Sequence, residues 1–124
     1  MAENKIAANE EEEFEMAKQE AAEQDEVDYV HIFKKPFEWE GKTYKELHFD
    51  FSNLTGEDCL NVEAEVARRG TMIMVPVASG AFLIGISARA CVEPLGTDAF
   101  RRMPINDFLT IRTRARNFLM YSEQ

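Results

Sequence analysis

Residue types that bind metals or act as nucleophiles are scarce in this chain of 124 residues, which has two cysteines (Cys59, Cys91) and two histidines (His31, His48). No two of the four lie within a few residues of each other, so the closely paired ligands of a zinc site are missing. The cysteines fall in apolar, helix-like contexts, where a reduced thiol behaves as a small buried hydrophobe rather than half of a disulfide. A Gly-rich phosphate loop, G-x-S-x-G, H-E-x-x-H and the dinucleotide fingerprint are all lacking, and no cofactor is expected. His48 stands between Glu46 and Asp50 and could be drawn as a general base, but alternating polar residues on a strand are a common solvated pattern. Catalysis is therefore not expected. The longest apolar run, around residues 72 to 86, is broken by Pro76, Ser79, Gly80 and Gly85, and the chain starts acidic. Neither a membrane span nor a secretory signal is read from it, and a cytoplasmic location is expected.

Charge is distributed unevenly. Residues 1–28 contain eleven acids and two lysines, which accounts for the whole net charge of −9; the other residues hold twelve acids and twelve bases. The acidity therefore belongs to an arm at 1–28, rich in helix-forming Ala, Glu, Gln and Lys but with few apolar side chains, read as helical or disordered and not needed for folding. The neutral remainder can self-associate without strong long-range repulsion. Nucleic acid is not an expected partner, because the arginines of the last helix lack interleaved aromatics and the arm repels phosphate.

From residue 29 to 120 the pattern is that of one α+β domain, followed by a short tail at 121–124. Leu47, Phe49 and Phe51 alternate with His48 and Asp50, the period of a strand with one buried face. Glu40-Gly41 reads as the turn of a hairpin, flanked by the aromatic pair Trp39 and Tyr44, and Pro36 calls for an edge position or a bulge in the first strand. Thr55 is the expected N-cap of a helix, with Asp58 completing a capping box, Leu54 stapling onto Cys59, and Gly70 ending it. Cys59, Leu60, Val62, Glu63, Val66 and Ala67 outline its faces. Residues 71–79 are apolar but hold Pro76, so they fit either an extended segment or a helix starting at Pro76. Gly80 to Val92 reads as a nearly all-buried helix, in which Gly85, Ser87 and Ala88 let another helix come close. A loop at residues 95 to 98 leads into a last helix with a stripe of Phe108, Ile111, Ala115, Phe118 and Leu119, and with Arg112, Arg114 and Arg116 mostly opposite. The expected architecture is an N-terminal β-hairpin packed on a small bundle of about three helices, preceded by the acidic arm.

Six methionines and nine phenylalanines are many for this length. Several, namely Met72, Met74, Met103 and Phe100, fall in or next to loops, where adaptable apolar side chains hold partners; filling of an irregular core is the alternative.

The order of these features resembles that of the tail assembly chaperones of tailed bacteriophages, over residues 34 to 120. Pro36-Phe37-Glu38-Trp39-Glu40-Gly41-Lys42-Thr43-Tyr44-Lys45-Glu46-Leu47 stands where that family has a P-x-x-x-x-G hairpin, and Leu54-Thr55-Gly56-Glu57-Asp58 where it starts a helix. Ile105-Asn106-Asp107-Phe108-Leu109-Thr110-Ile111, continuing to Phe118-Leu119, is similar to its closing helix. The long acidic leader and the Met-rich stretch at 71–79 are not part of that pattern. The resemblance implies a non-enzymatic protein of the host cytoplasm that binds the tape measure protein during tail tube assembly, often as a homo-oligomer, and is absent from the finished virion. The tail tube protein is a further implied partner. Candidate partner-binding residues are Met72, Met74, Arg112, Arg114 and Arg116. Two rival readings stand beside it: a small structural tail or connector component of the virion, and an acidic regulatory or secretion-type chaperone.

Overall fold

Two consecutive residues with positive φ, Glu40 (50°) and Gly41 (83°), reverse the chain between strands β1 (Tyr29–Trp39) and β2 (Lys42–Phe49). Two such residues in a row make the tight turn whose twist matches a right-handed antiparallel hairpin, and Gly41 takes its part without side-chain strain. The computed structural model describes residues 28–121; the acidic arm, apart from Asp28, and residues 122–124 lie outside the described residues, and so do the expectations placed on them. Asp28 itself is fastened to the domain, its carboxylate accepting hydrogen bonds from the backbone and hydroxyl of Ser52 and its N–H donating to Phe49 O.

The turn sets a register of Trp39 opposite Lys42 and Phe37 opposite Tyr44. The expected Trp39–Tyr44 cross-strand pair is thus not formed. A two-residue loop places Tyr44 two positions further along, against Phe37, while Trp39 stacks on Phe37 with centroids 6.3 Å apart. Between the pairs Ile32–Glu46 and Phe37–Tyr44 the register shifts, because four residues of β1 face a single residue of β2. This bulge falls where Pro36 called for one: proline cannot donate to the ladder, and Lys34, Lys35 and Pro36 all face water.

After β2, a 3-10 turn at Phe51–Asn53 carries Phe51 inward. Helix α1 (Gly56–Arg68) then begins with the expected capping box: the Thr55 hydroxyl accepts from Asp58 N, and Asp58 Oδ2 accepts from Thr55 N at 2.8 Å. That backbone N–H, then Arg89 at 2.8 Å, holds the Asp58 carboxyl below its usual value. The helix ends in a Schellman arrangement, with Gly70 N donating to Ala67 O, Thr71 N donating to Val66 O, and Gly70 at φ 90°. Only Val62 and Val66 are buried on α1. Leu60 is 63% exposed and Ala67 also faces water, so the apolar face is narrower than the sequence suggests.

Residues 71–79 form no strand and bend at 74–75 before a 3-10 turn at Pro76–Ala78, and Ser79 caps helix α2 (Gly80–Ala90) by accepting from Phe82 N. Phe82 through Ser87 are buried without interruption, which an α-helix permits only when it is packed on all sides. The centre of the molecule is therefore α2 rather than the hairpin: α1 packs on one flank, the last helix on another, and the aromatic face of the hairpin closes over it. Gly85 lets α1 approach, since a Cβ there would lie 2.5 Å from Val62 Cγ1. Gly85→Ala is expected to cost about 1–3 kcal/mol through this overlap, despite the better helix propensity of alanine, as chemical denaturation would measure.

The segment expected to be a loop at residues 95 to 98 instead runs into a short helix α3 (Thr97–Arg101). It exists because Ala99 and Phe100 are fully buried and anchor a turn that has little intrinsic stability at this length. Phe100 and Met103 (7% exposed) therefore belong to the core, not to an adaptable surface. Helix α4 (Ile105–Tyr121) buries Ile111 and Ala115, half-buries Phe108 and Phe118, and leaves Leu119 in water. The fold is α+β, an antiparallel hairpin followed by helices that share one core with it. Among the described residues no helix is long and apolar enough to cross a membrane.

Candidate functional site

Gly70 turns the chain back on itself at the end of α1, and a 3-10 turn begins at Pro76; between them residues 71–75 form an irregular strap beside the helix. Within the strap Ile73 packs against the core, while its neighbours Met72 and Met74 are 78% and 79% exposed. Between strap and helix lies an open cavity of about 600 Å³ lined by Glu63, Ala67, Ile73, Pro76 and both methionines. Leu60, seven residues before Ala67, is also exposed and lies on the same stripe of α1. Unbranched thioether side chains in water beside such a groove can adapt to apolar partners of varied shape.

The three arginines taken together in the sequence are separated by the structure. Arg112 and Arg116 are four residues apart and share a face of α4; Arg112 is half-buried, lies over the Phe108 ring (5.8 Å), and approaches Gly80. Arg114 lies on the other side, its guanidinium 4.6 Å from the centre of the Tyr29 ring at the start of β1. Burial pushes the Tyr29 phenol above its usual value, with Arg114 opposing and Asp107 adding to the shift. Arg116 is exposed. Met72 and Met74 thus form one surface, Arg112 and Arg116 a second, and Arg114 part of a third.

Two polar clusters are completed by residues distant in the chain. His31 is 4% exposed, with Nε2 2.7 Å from Asp107 Oδ1 and Nδ1 2.8 Å from the Tyr29 hydroxyl, so it ties β1 to the first turn of α4. The signal was present: His31 is in phase with Tyr29 and Phe33 on the inward side of the strand, and a buried imidazole needs partners. His48 has Nδ1 2.7 Å from Glu93 Oε2 and Nε2 3.1 Å from Glu46, and its backbone N–H also donates to Glu93. Burial works against the charged form of Glu93, but the backbone and side-chain bonds from His48 together outweigh it and lower its pKa. Residues 90–92 extend the sheet at this point: Cys91 bridges Phe49, Val92 N donates to His48 O and Asp50 N donates to Ala90 O. The expected alternation of Glu46 and Asp50 around His48 therefore gives only one of its two neighbours, Glu46, as a partner, and supplies the second from a distant segment.

Cys91, His48 and Glu93 stand close enough to invite a nucleophile assignment. The Cys91 thiol is, however, pushed up to about 12 by burial and by Glu93, with Sγ 3.6 Å from Glu93 Oε1. A thiol held protonated is a poor nucleophile. Cys59 is likewise raised by burial and by Glu63, and both cysteines are free and partly exposed rather than fully buried. Among the described residues no group of His, Cys, Asp and Glu side chains is arranged to hold a metal ion. Comparison of the chain with protein-family models, curated proteins and solved structures returns no match.

Proposed function

We propose that this is a non-enzymatic binding domain that acts as a phage tail assembly chaperone in the host cytoplasm, holding the tape measure protein while the tail tube forms. The observation that carries it is the pair Met72 and Met74, standing in water above a groove of about 600 Å³. Isolated exposed apolar residues are ordinary, but two methionines lining one groove form a patch of the kind that marks an interaction site. A long helical client presents apolar stripes at many points along its length, and adaptable side chains can meet each of them. Arg112 and Arg116, on a surface of their own, supply a second, charged contact. Single sites of this kind are weak, so binding relies on many copies per client and on self-association of the chaperone, with the acidic arm keeping the assembly soluble. The similarity of Pro36–Leu47, Leu54–Asp58 and Ile105–Leu119 to the chaperone pattern points to this client; the tail tube protein is a further partner.

Co-expression with a tape measure protein encoded beside it, followed by size-exclusion chromatography with light scattering, tests the proposal. A soluble complex with several copies of this chain per client is expected. Met72→Ser combined with Met74→Ser should weaken each contact about tenfold or more, the equivalent of about 1.4 kcal/mol, while melting stays within a few degrees of wild type because both side chains are already in water. A client that stays insoluble, together with a fixed copy number of this chain in purified virions, would replace the proposal with a structural tail or connector role.

A further inference from the structure

The side of α4 that faces β1 carries Asn106, Thr110, Arg114, Asn117 and Tyr121, residues spaced three or four apart that form one stripe along the helix. Two cavities, of about 460 and 410 Å³, lie along this stripe and meet at Tyr29, which lines both. They adjoin at that ring along the groove between β1 and α4. Lys34 and Lys35 of the β1 bulge stand at one end of it, Arg114 in the middle, and Phe118, Phe51 and Tyr121 at the other. Of the carboxylates along it, Asp107 is engaged by His31 and Asp28 by Ser52. Among the described residues no carboxylate forms an ion pair with Lys34, Lys35 or Arg114.

We propose that the groove between β1 and α4 is the docking site for the chain's own N-terminal arm, residues 1–27. Position, reach and charge support this. The arm joins the domain at Asp28, which lines the aromatic end of the groove. The stripe from Asn106 to Tyr121 is about 22 Å long at 1.5 Å per helical residue, a length that about seven extended residues or fifteen helical ones cover. The arm brings ten acids and two lysines to a groove with three cations, and Phe14, flanked by Glu13 and Glu15, is an aromatic suited to the end lined by Phe51 and Phe118. Tethering raises the arm's effective concentration to about the millimolar range, so contacts too weak for a separate peptide suffice. The docking does not depend on the client proposal, because the methionine groove is a different cavity with different lining.

NMR relaxation on the full 124-residue chain tests it. At about 0.01 M salt, part of the arm should show backbone order parameters clearly above the value of about 0.6 that marks flexible chain; at about 1 M salt, where the Debye length falls to about 3 Å, they should drop below it. The triple substitution Lys34→Glu, Lys35→Glu, Arg114→Glu should have the same effect at low salt, and Glu10–Glu13 changed to Gln should shift the amide signals of Tyr29, Lys34, Lys35 and Tyr121. Because Arg114 also touches Tyr29, Lys34→Glu with Lys35→Glu alone is the second variant and should lower the arm's order in part. Order parameters below about 0.6 in the wild type at low salt would overturn the proposal. So would groove signals that ignore the Gln substitutions, or shifts that vanish on dilution, which would mean that the arm of a second copy occupies the groove.

Discussion

Phe49→Ala is expected to destabilise the protein by about 3–5 kcal/mol, a large part of the 5–15 kcal/mol that a domain of this size has at its disposal. Phe49 is fully buried and is the point where hairpin and helices meet: its ring lies 5.9 Å from Tyr29, 5.8 Å from Phe51 and 6.1 Å from Phe100 of α3. Truncation removes a large apolar area, leaves a cavity, and breaks three aromatic contacts that each contribute about 0.5–1.5 kcal/mol beyond area burial. Phe49→Leu retains much of the volume and should lose markedly less. Urea denaturation of both variants measures the difference. A Phe49→Ala protein that unfolds at the wild-type midpoint would show that this ring is not part of the core.

Asp107→Ala should cost about 1–3 kcal/mol, even though the side chain removed is small and polar. The loss falls on His31, which is left 4% exposed with no acceptor for Nε2, and a buried polar atom without a partner bears its full desolvation cost. Asp107→Asn keeps an oxygen that can accept from the imidazole and should recover part of the stability. In a double-mutant cycle with His31→Ala, the coupling between the two positions should be about 0.5–3 kcal/mol. For a domain of about a hundred residues each kcal/mol appears as a midpoint shift of about 4–8 °C, so thermal melts resolve these differences. Additive effects of the two substitutions would mean that the 2.7 Å contact does not hold β1 to α4.

Features fixed by neighbours in the chain could be read from the residues alone. Glu40-Gly41, the Thr55–Asp58 box, the Gly70 stop and the bulge at Pro36 each depend on a few adjacent side chains and backbone angles. Gly85 could be read too, because a glycine inside an apolar helix has few purposes other than close approach. What escaped was set by contacts across long stretches of sequence. The pairs His31–Asp107 and His48–Glu93 join residues 76 and 45 positions apart, and nothing local to Asp107 or Glu93 announces a histidine partner. The helix α3 forms because Phe100 finds Phe49, and Arg114 leaves the other two arginines because β1 places Tyr29 beneath it. For the candidate site, the residues alone did not separate the exposed Met72 and Met74 from the buried Phe100 and Met103: all four fall in or next to loops, and contacts from distant segments decide which are covered.

The bulge in β1 also bears on edge-to-edge pairing between copies of the chain. A sheet of only two strands leaves backbone donors and acceptors along its outer sides, which can template further strands from neighbouring molecules. On β2 the bridge from Cys91 occupies the end nearest the helices. On β1 the irregularity between Ile32 and Phe37 interrupts the straight run such templating requires, Pro36 removes a donor, and Lys34 and Lys35 would bring like charges together in any pairing of two copies. Copies of this chain brought close together for any reason are therefore hindered from fusing into a continuous sheet by the first strand itself.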